Sequence, residues 1–129
     1  LATPHCLRML SVQNVHVTLD GTPVLHGISF DVPAGSVAGY VGPNGAGKTT
    51  TMRLLTGALQ PDIGTVIVGG ADVVQQPLEA KRRFGYVPEH GHLYESFSPD
   101  EYLTFIGRMH GLAETVLRQR AALCRRCCI

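Results

Sequence analysis

A chain of 129 residues that is 44% hydrophobic and carries a formal net charge of only +1 has the make-up of one small globular domain, not of a disordered tail. The near-neutral balance removes the electrostatic case for general binding to nucleic acid or anionic lipid, so any polyanion must be held locally. Every apolar stretch is interrupted by glycine, proline or charge well short of the ~20 residues of a membrane-spanning helix, and no secretion signal opens the chain.

Residues 1–8 show no periodicity and precede Met9, so they read as a non-native or disordered extension, with the domain running from 9 to 129. Leu10, Val12, Val15, Val17 and Leu19 mostly alternate, which predicts a strand. Asp20-Gly21-Thr22-Pro23 predicts a turn, and the following segment places Ile28, Phe30 and Val32 on one face of a second, antiparallel strand. Pro33-Ala34-Gly35 turns the chain into Val37-Ala38-Gly39-Tyr40-Val41, which reads as a buried strand.

Directly after it, Gly42-Pro43-Asn44-Gly45-Ala46-Gly47-Lys48-Thr49 fits G-x-x-x-x-G-K-S/T. Several backbone N–H groups can be aimed at one phosphate only where the chain folds without Cβ atoms in the way, which Gly42, Gly45 and Gly47 permit. The helix that follows adds its unpaired N-terminal donors and the positive end of its dipole. Lys48 would reach the β- and γ-phosphates, and the Thr49 hydroxyl, next to Thr50, would ligate Mg²⁺. A strand before the glycines and a helix after them, with Met52, Leu55 and Leu59 on one side, make a chance glycine-rich turn a poor alternative.

Gly57 and Pro61-Asp62 stop that helix. Thr65-Val66-Ile67-Val68 with Gly69-Gly70 predicts a short strand and turn. A short helix over 77–83 and a buried strand Phe84-Gly85-Tyr86-Val87-Pro88 come next. Ser98 with Pro99 and Glu101 predicts a capping box, followed by Tyr102, Phe105, Ile106 and Met109 on one helical face. Val116, Leu117, Ala121 and Cys124 allow a further helix. Cys6, Cys124, Cys127 and Cys128 do not form a disulfide framework. Cys124-x-x-Cys127 lacks the second pair a metal site needs, and His90 and His92 beside Glu89 have only loop proximity in their favour.

With these motifs placed, the stretch from Met9 to about Leu112 resembles the ATP-binding cassette of ABC transporters. The resemblance rests on the segment through Val32, the Gly42 to Thr50 loop, Leu55-Thr56-Gly57, Pro61-Asp62-Ile63-Gly64 and Gly85-Tyr86-Val87-Pro88-Glu89. It covers roughly the N-terminal half of the family's nucleotide-binding domain. It implies an α/β fold, a partial P-loop NTPase-like domain with an N-terminal antiparallel β element and a parallel core sheet flanked by helices. It further implies ATP and Mg²⁺ as ligands, a second ATP-binding subunit in a dimer, and no nucleic acid. A membrane subunit would be met through the surface that begins at Gly91 and ends at Phe97, placing the chain on the cytoplasmic face of the membrane.

Three positions depart from the family pattern. The adenine-stacking aromatic falls on Leu19, which would offer an aliphatic surface to the base. The Q-loop position is Glu89, as in the export and drug-resistance branch, where it would act catalytically or ligate Mg²⁺. No apolar run ending in Asp-Glu follows the loop, and no Ser-Gly-Gly-Gln signature occurs. Two readings follow: part of an ATPase subunit powering export, or a truncated nucleotide-binding module without hydrolysis.

Overall fold

The computed structural model describes residues 8–89, 91 and 96–127, which fall into two compact units divided after Tyr86. Residues 1–7 of the expected extension, with Cys6, lie outside the described residues, as do His90, His92, residues 93–95 and Cys128.

In the first unit β1 (Arg8–Leu19) and β2 (Thr22–Pro33) form an antiparallel hairpin. Its turn is the two-residue Asp20-Gly21, at φ 49° and 76°, the left-handed pair that matches the twist of the flanking strands. On the other side of β1 lie β3 (Ile63–Val68) and then β4 (Ala71–Asp72), giving a four-stranded sheet in the order β2-β1-β3-β4, antiparallel throughout.

Val12, Val15 and Val17 of β1 are all buried, although Val12 and Val15 stand three positions apart, an odd spacing that would point them to opposite faces of a regular strand. Asn14 resolves the mismatch. It stands at φ 47° in a bulge, where two residues of β1 oppose one of β2, and its N–H donates to Ser29 Oγ at 2.8 Å. The extra residue restores the inward face, so both halves of the strand feed one core with Leu25, Val66 and Val68.

Helix α1 (Lys48–Leu55) packs on that core through Thr50, Thr51 and Leu54. The side that carries Met52, Leu55 and Leu59 is the less buried one: Met52 is 44% exposed, with Leu55 and Leu59 at the margin of the core. The reason is where the helix starts. Gly47 lies against Leu25 of β2, and Gly47, Thr50, Thr51 and Leu54 follow the i, i+3, i+4, i+7 stripe of one face. Met52 and Leu55 instead line an apolar cleft of about 700 Å³ with Leu10, Ile28, Phe30 and Tyr40. Helix α2 (Pro77–Lys81), shorter than expected, contributes Ala80 to the core.

A further correction concerns the parallel core. Residues 37–41 and 84–88 run without ladder partners, and Val37, Val41 and Val87 are 102%, 90% and 90% exposed. Apolar content alone does not make a strand. Backbone donors and acceptors must meet a neighbouring strand, and among the described residues none lies beside these segments.

In the second unit α3 (Pro99–Met109) begins with the expected capping box: Ser98 Oγ accepts from the Glu101 N–H, and Glu101 Oε2 accepts from the Ser98 N–H at 2.8 Å. The bonds from Ser98 hold the Glu101 carboxyl below its ordinary range. Helix α4 (Glu114–Cys127) places Leu117 on α3 at Gly107, where a Cβ would lie 2.7 Å from Leu117 Cδ1. Gly107 is thus the buried position of α3, while Met109 of the expected apolar stripe is 71% exposed. Cys124 is an exposed free thiol.

Two outcomes follow from this packing. Gly64 holds φ 98° with its Cα facing the bulge of β1, where a Cβ would come within 2.5 Å of Gln13 O and also overlap Asn14 O. Gly64→Ala should cost about 2–4 kcal/mol in urea denaturation, and an unchanged midpoint would contradict this register. Unpaired extended segments also recruit other chains. Light scattering by the purified chain should rise with concentration and fall in Val37→Lys/Val41→Lys, whereas equal scattering by the two would locate the association elsewhere.

Candidate functional site

The segment from Gly42 to Thr50 joins the unpaired stretch 37–41 to α1, and its glycines set its path. Gly47 caps the helix in the left-handed region at φ 81°, and a Cβ there would meet Leu25 Cδ2 at 2.5 Å. Gly45 is left-handed as well, at φ 84°. At Gly42 a Cβ would crowd Ala46 Cβ at 3.2 Å. A side chain at Gly47 would press on the sheet, whereas at Gly45, where a Cβ meets open space, the cost is that of the left-handed backbone alone.

No side chain caps the N-terminus of α1, and no acidic residue stands in its first turn. Its leading donors and the positive dipole end are therefore left for an external anion. Lys48 bends back across the loop and donates from Nζ to Gly42 O at 2.6 Å and to Pro43 O at 2.7 Å. That places its charge over the loop mouth with a third donor position still available. Thr49 is exposed in the first turn, whereas Thr50 is buried. Pro43 and Ala46 close the loop internally, through the Ala46 N–H to Pro43 O at 3.2 Å, and Asn44 is exposed at its tip.

Behind the loop, buried Thr51 donates from Oγ1 to Gly47 O at 3.0 Å, an i−4 back-bond beside the ordinary helical bond from its own N–H at 2.8 Å. Tyr40 OH lies 3.2 Å from the same Thr51 Oγ1, and its ring packs on Phe30 with centroids 5.5 Å apart. Sequence reasoning singled out neither Tyr40 nor Thr51. The i, i+4 spacing of Gly47 and Thr51 was the available signal.

Leu19 ends β1 in the same unit, half-buried and packed against the core. Its neighbourhood is clamped: Asp62 Oδ2 accepts from the Thr18 N–H at 2.7 Å, and the Asp62 N–H donates to His16 O at 3.0 Å. Glu89 is exposed and belongs to the second unit. Among the described residues no group of His, Cys, Asp and Glu could by itself hold a metal ion. The exposed Thr49 hydroxyl beside an uncapped helix start fits a cation that arrives with phosphate oxygens completing its shell.

Comparison with known proteins agrees with this geometry. The family model described as ABC transporter matches residues 25–124. A linearmycin resistance ATP-binding protein of Bacillus subtilis is 36% identical over 114 residues, covering 88% of this chain and 37% of its own length. A daunorubicin/doxorubicin resistance ATP-binding protein of Streptomyces peucetius is 37% identical over 115 residues, covering 89% and 35%. A Nod factor export ATP-binding protein of Ralstonia nicotianae is 38% identical over 112 residues, covering 87% and 35%. The chain thus spans about a third of the length of these relatives. A solved structure of the ATP-binding subunit of an ABC transporter superposes with a TM-score of 0.73 at 31% identity, over 83% of this chain and 45% of that one. No helix among the described residues is long and apolar enough to cross a membrane. The glycine loop, the uncapped helix behind it and these matches lead to one assignment: the chain belongs to the ABC transporter family, as part of a P-loop ATP-binding domain.

Proposed function

We propose that this chain supplies the nucleotide-gripping part of an ATP-binding subunit that powers export through a separate membrane subunit. The observation that carries the proposal is the uncapped start of α1 with Lys48 folded over it. The backbone donors of residues 42–50 would surround the phosphates, and Lys48 would take the terminal oxygens. Thr49 would hold Mg²⁺, which when bound offsets charge on the phosphate oxygens. Leu19 would give the base an aliphatic seat. Glu89 would orient the attacking water or join the metal's shell.

The membrane subunit would meet the surface between Gly91 and Phe97, of which residues 92–95 lie outside those described, and a second ATP-binding subunit would complete the site. That arrangement seats the protein on the inner face of the membrane. The second reading, a nucleotide-binding module without hydrolysis, is favoured for these 129 residues taken alone, because they hold no apolar run closing on Asp-Glu and no Ser-Gly-Gly-Gln. A phosphate loop binds, but turnover also needs the metal held from a second side and water oriented.

Calorimetric titration with Mg-ADP should show binding that Lys48→Ala abolishes. Equal affinity in the two proteins would remove the loop from the binding site. Leu19→Tyr should tighten binding by about 0.5–1.5 kcal/mol if the ring stacks on the base, and an unchanged affinity would place the base elsewhere. Phosphate release from Mg-ATP should stay at background in the purified chain. Sustained release lost in Lys48→Ala would demand a catalytic carboxylate other than those considered.

A further inference from the structure

We propose that Tyr40 is a positioning residue for the phosphate loop, acting through a relay of two hydroxyls that ties the loop's entry to its exit. This deepens the nucleotide-site reading above and rests on it.

Donor arithmetic sets the direction of the relay. A threonine hydroxyl has one proton, and Gly47 O can only accept, so the Thr51 Oγ1 proton goes to Gly47. The remaining partner of Oγ1, the Tyr40 phenol at 3.2 Å, must then donate to it. The order is Tyr40 to Thr51 to Gly47. Gly47 is the last glycine of the loop, and Tyr40 stands two residues before the first, Gly42. One chain of hydrogen bonds therefore crosses the base of the loop, while Lys48 crosses its mouth to Gly42 and Pro43.

The base brace matters because the entry segment has little else. Residues 37–41 make no ladder bonds, and Val37 and Val41 stand in solvent. Tyr40 is fastened on two sides, by its ring on Phe30 of β2 and by its hydroxyl on Thr51 of α1. Phe30 in turn packs against the core. The two braces also differ in what a ligand does to them. Phosphate oxygens would draw on the third donor of the Lys48 ammonium and compete with Gly42 O and Pro43 O for the other two. The Tyr40–Thr51–Gly47 relay lies behind the loop and is untouched by that exchange, so it holds the glycine donors in place as the ligand enters.

The test is a set of Mg-ADP and inorganic pyrophosphate titrations on the full chain. Tyr40→Phe keeps the ring on Phe30 and removes only the donor, so it should fold, as circular dichroism would check. Its dissociation constants should rise about three- to tenfold for both ligands, the effect expected of one hydrogen bond. The equal loss for pyrophosphate assigns the effect to the phosphate end and not to the base. Thr51→Val should show a similar or larger loss, Thr51→Ser should recover part of it, and the double variant Tyr40→Phe/Thr51→Val should be no weaker than Thr51→Val alone. Affinity of Tyr40→Phe within twofold of the wild type, or losses that multiply in the double variant, would overturn the relay. If the wild type binds neither ligand, the nucleotide-site reading itself falls and takes the relay with it. Wild-type binding with an indifferent Tyr40→Phe removes the relay alone.

Discussion

The first helix can start where it does only because Gly47 has no side chain. Its Cα lies against Leu25 of β2, closely enough that a methyl group would sit 2.5 Å from Leu25 Cδ2, and its φ of 81° is one that other residues hold at a cost of about 1–3 kcal/mol. Sterics and backbone conformation thus demand glycine for separate reasons. Once Gly47 is seated, the helix rotation follows: Thr50, Thr51 and Leu54 turn to the core, Thr49 turns outward, and Lys48 falls where it can fold over the loop. The sheet beneath therefore fixes the direction in which the helix start faces.

Geometry and energy are supplied by different groups. A lysine ammonium about 4 Å from a phosphate charge is worth about 4 kcal/mol at the effective dielectric of a protein surface, against about 1 kcal/mol for an ordinary hydrogen bond. On the proposed reading Lys48 would therefore carry the largest share of anion affinity, and its loss would be the severe substitution. Glycines contribute little attraction of their own. They would hold the donors at the angle that makes the charge useful, and in the proposed relay the hydroxyls of Tyr40 and Thr51 would keep the glycines there. The clamp of Asp62 on the end of β1 does the same for Leu19.

Much of this was legible in the residues themselves. The Asp20-Gly21 turn, the glycine-rich turn into α1 and the Ser98 capping box each depend on a few neighbouring residues with one conformational solution, and each formed as expected. The bulge at Asn14 also left a trace, the change of parity between Val12 and Val15, which simple alternation overlooks. Less legible was anything decided by a distant neighbour. Residues 37–41 and 84–88 have the composition of buried strands, yet a strand exists by virtue of its partners, and no partner lies beside them among the described residues. The side of α1 that is most buried, Thr50, Thr51 and Leu54, was hidden for the same reason, since the Gly47 contact with Leu25, twenty-two positions earlier in the chain, decides it. That Met109 of the apolar face stays exposed was likewise hidden, because Leu117 packs on Gly107.

The central claim is that the backbone donors around Gly45 and Gly47 receive a phosphate. Amide ¹H–¹⁵N spectra recorded during titration with Mg-ADP test it most directly, because each donor reports for itself. The account predicts saturable downfield movement of the Gly45, Gly47, Lys48 and Thr49 signals, while those of β3 and β4 stay in place. Signals of the loop that do not move at saturating nucleotide, or small shifts spread evenly over exposed residues, would contradict it.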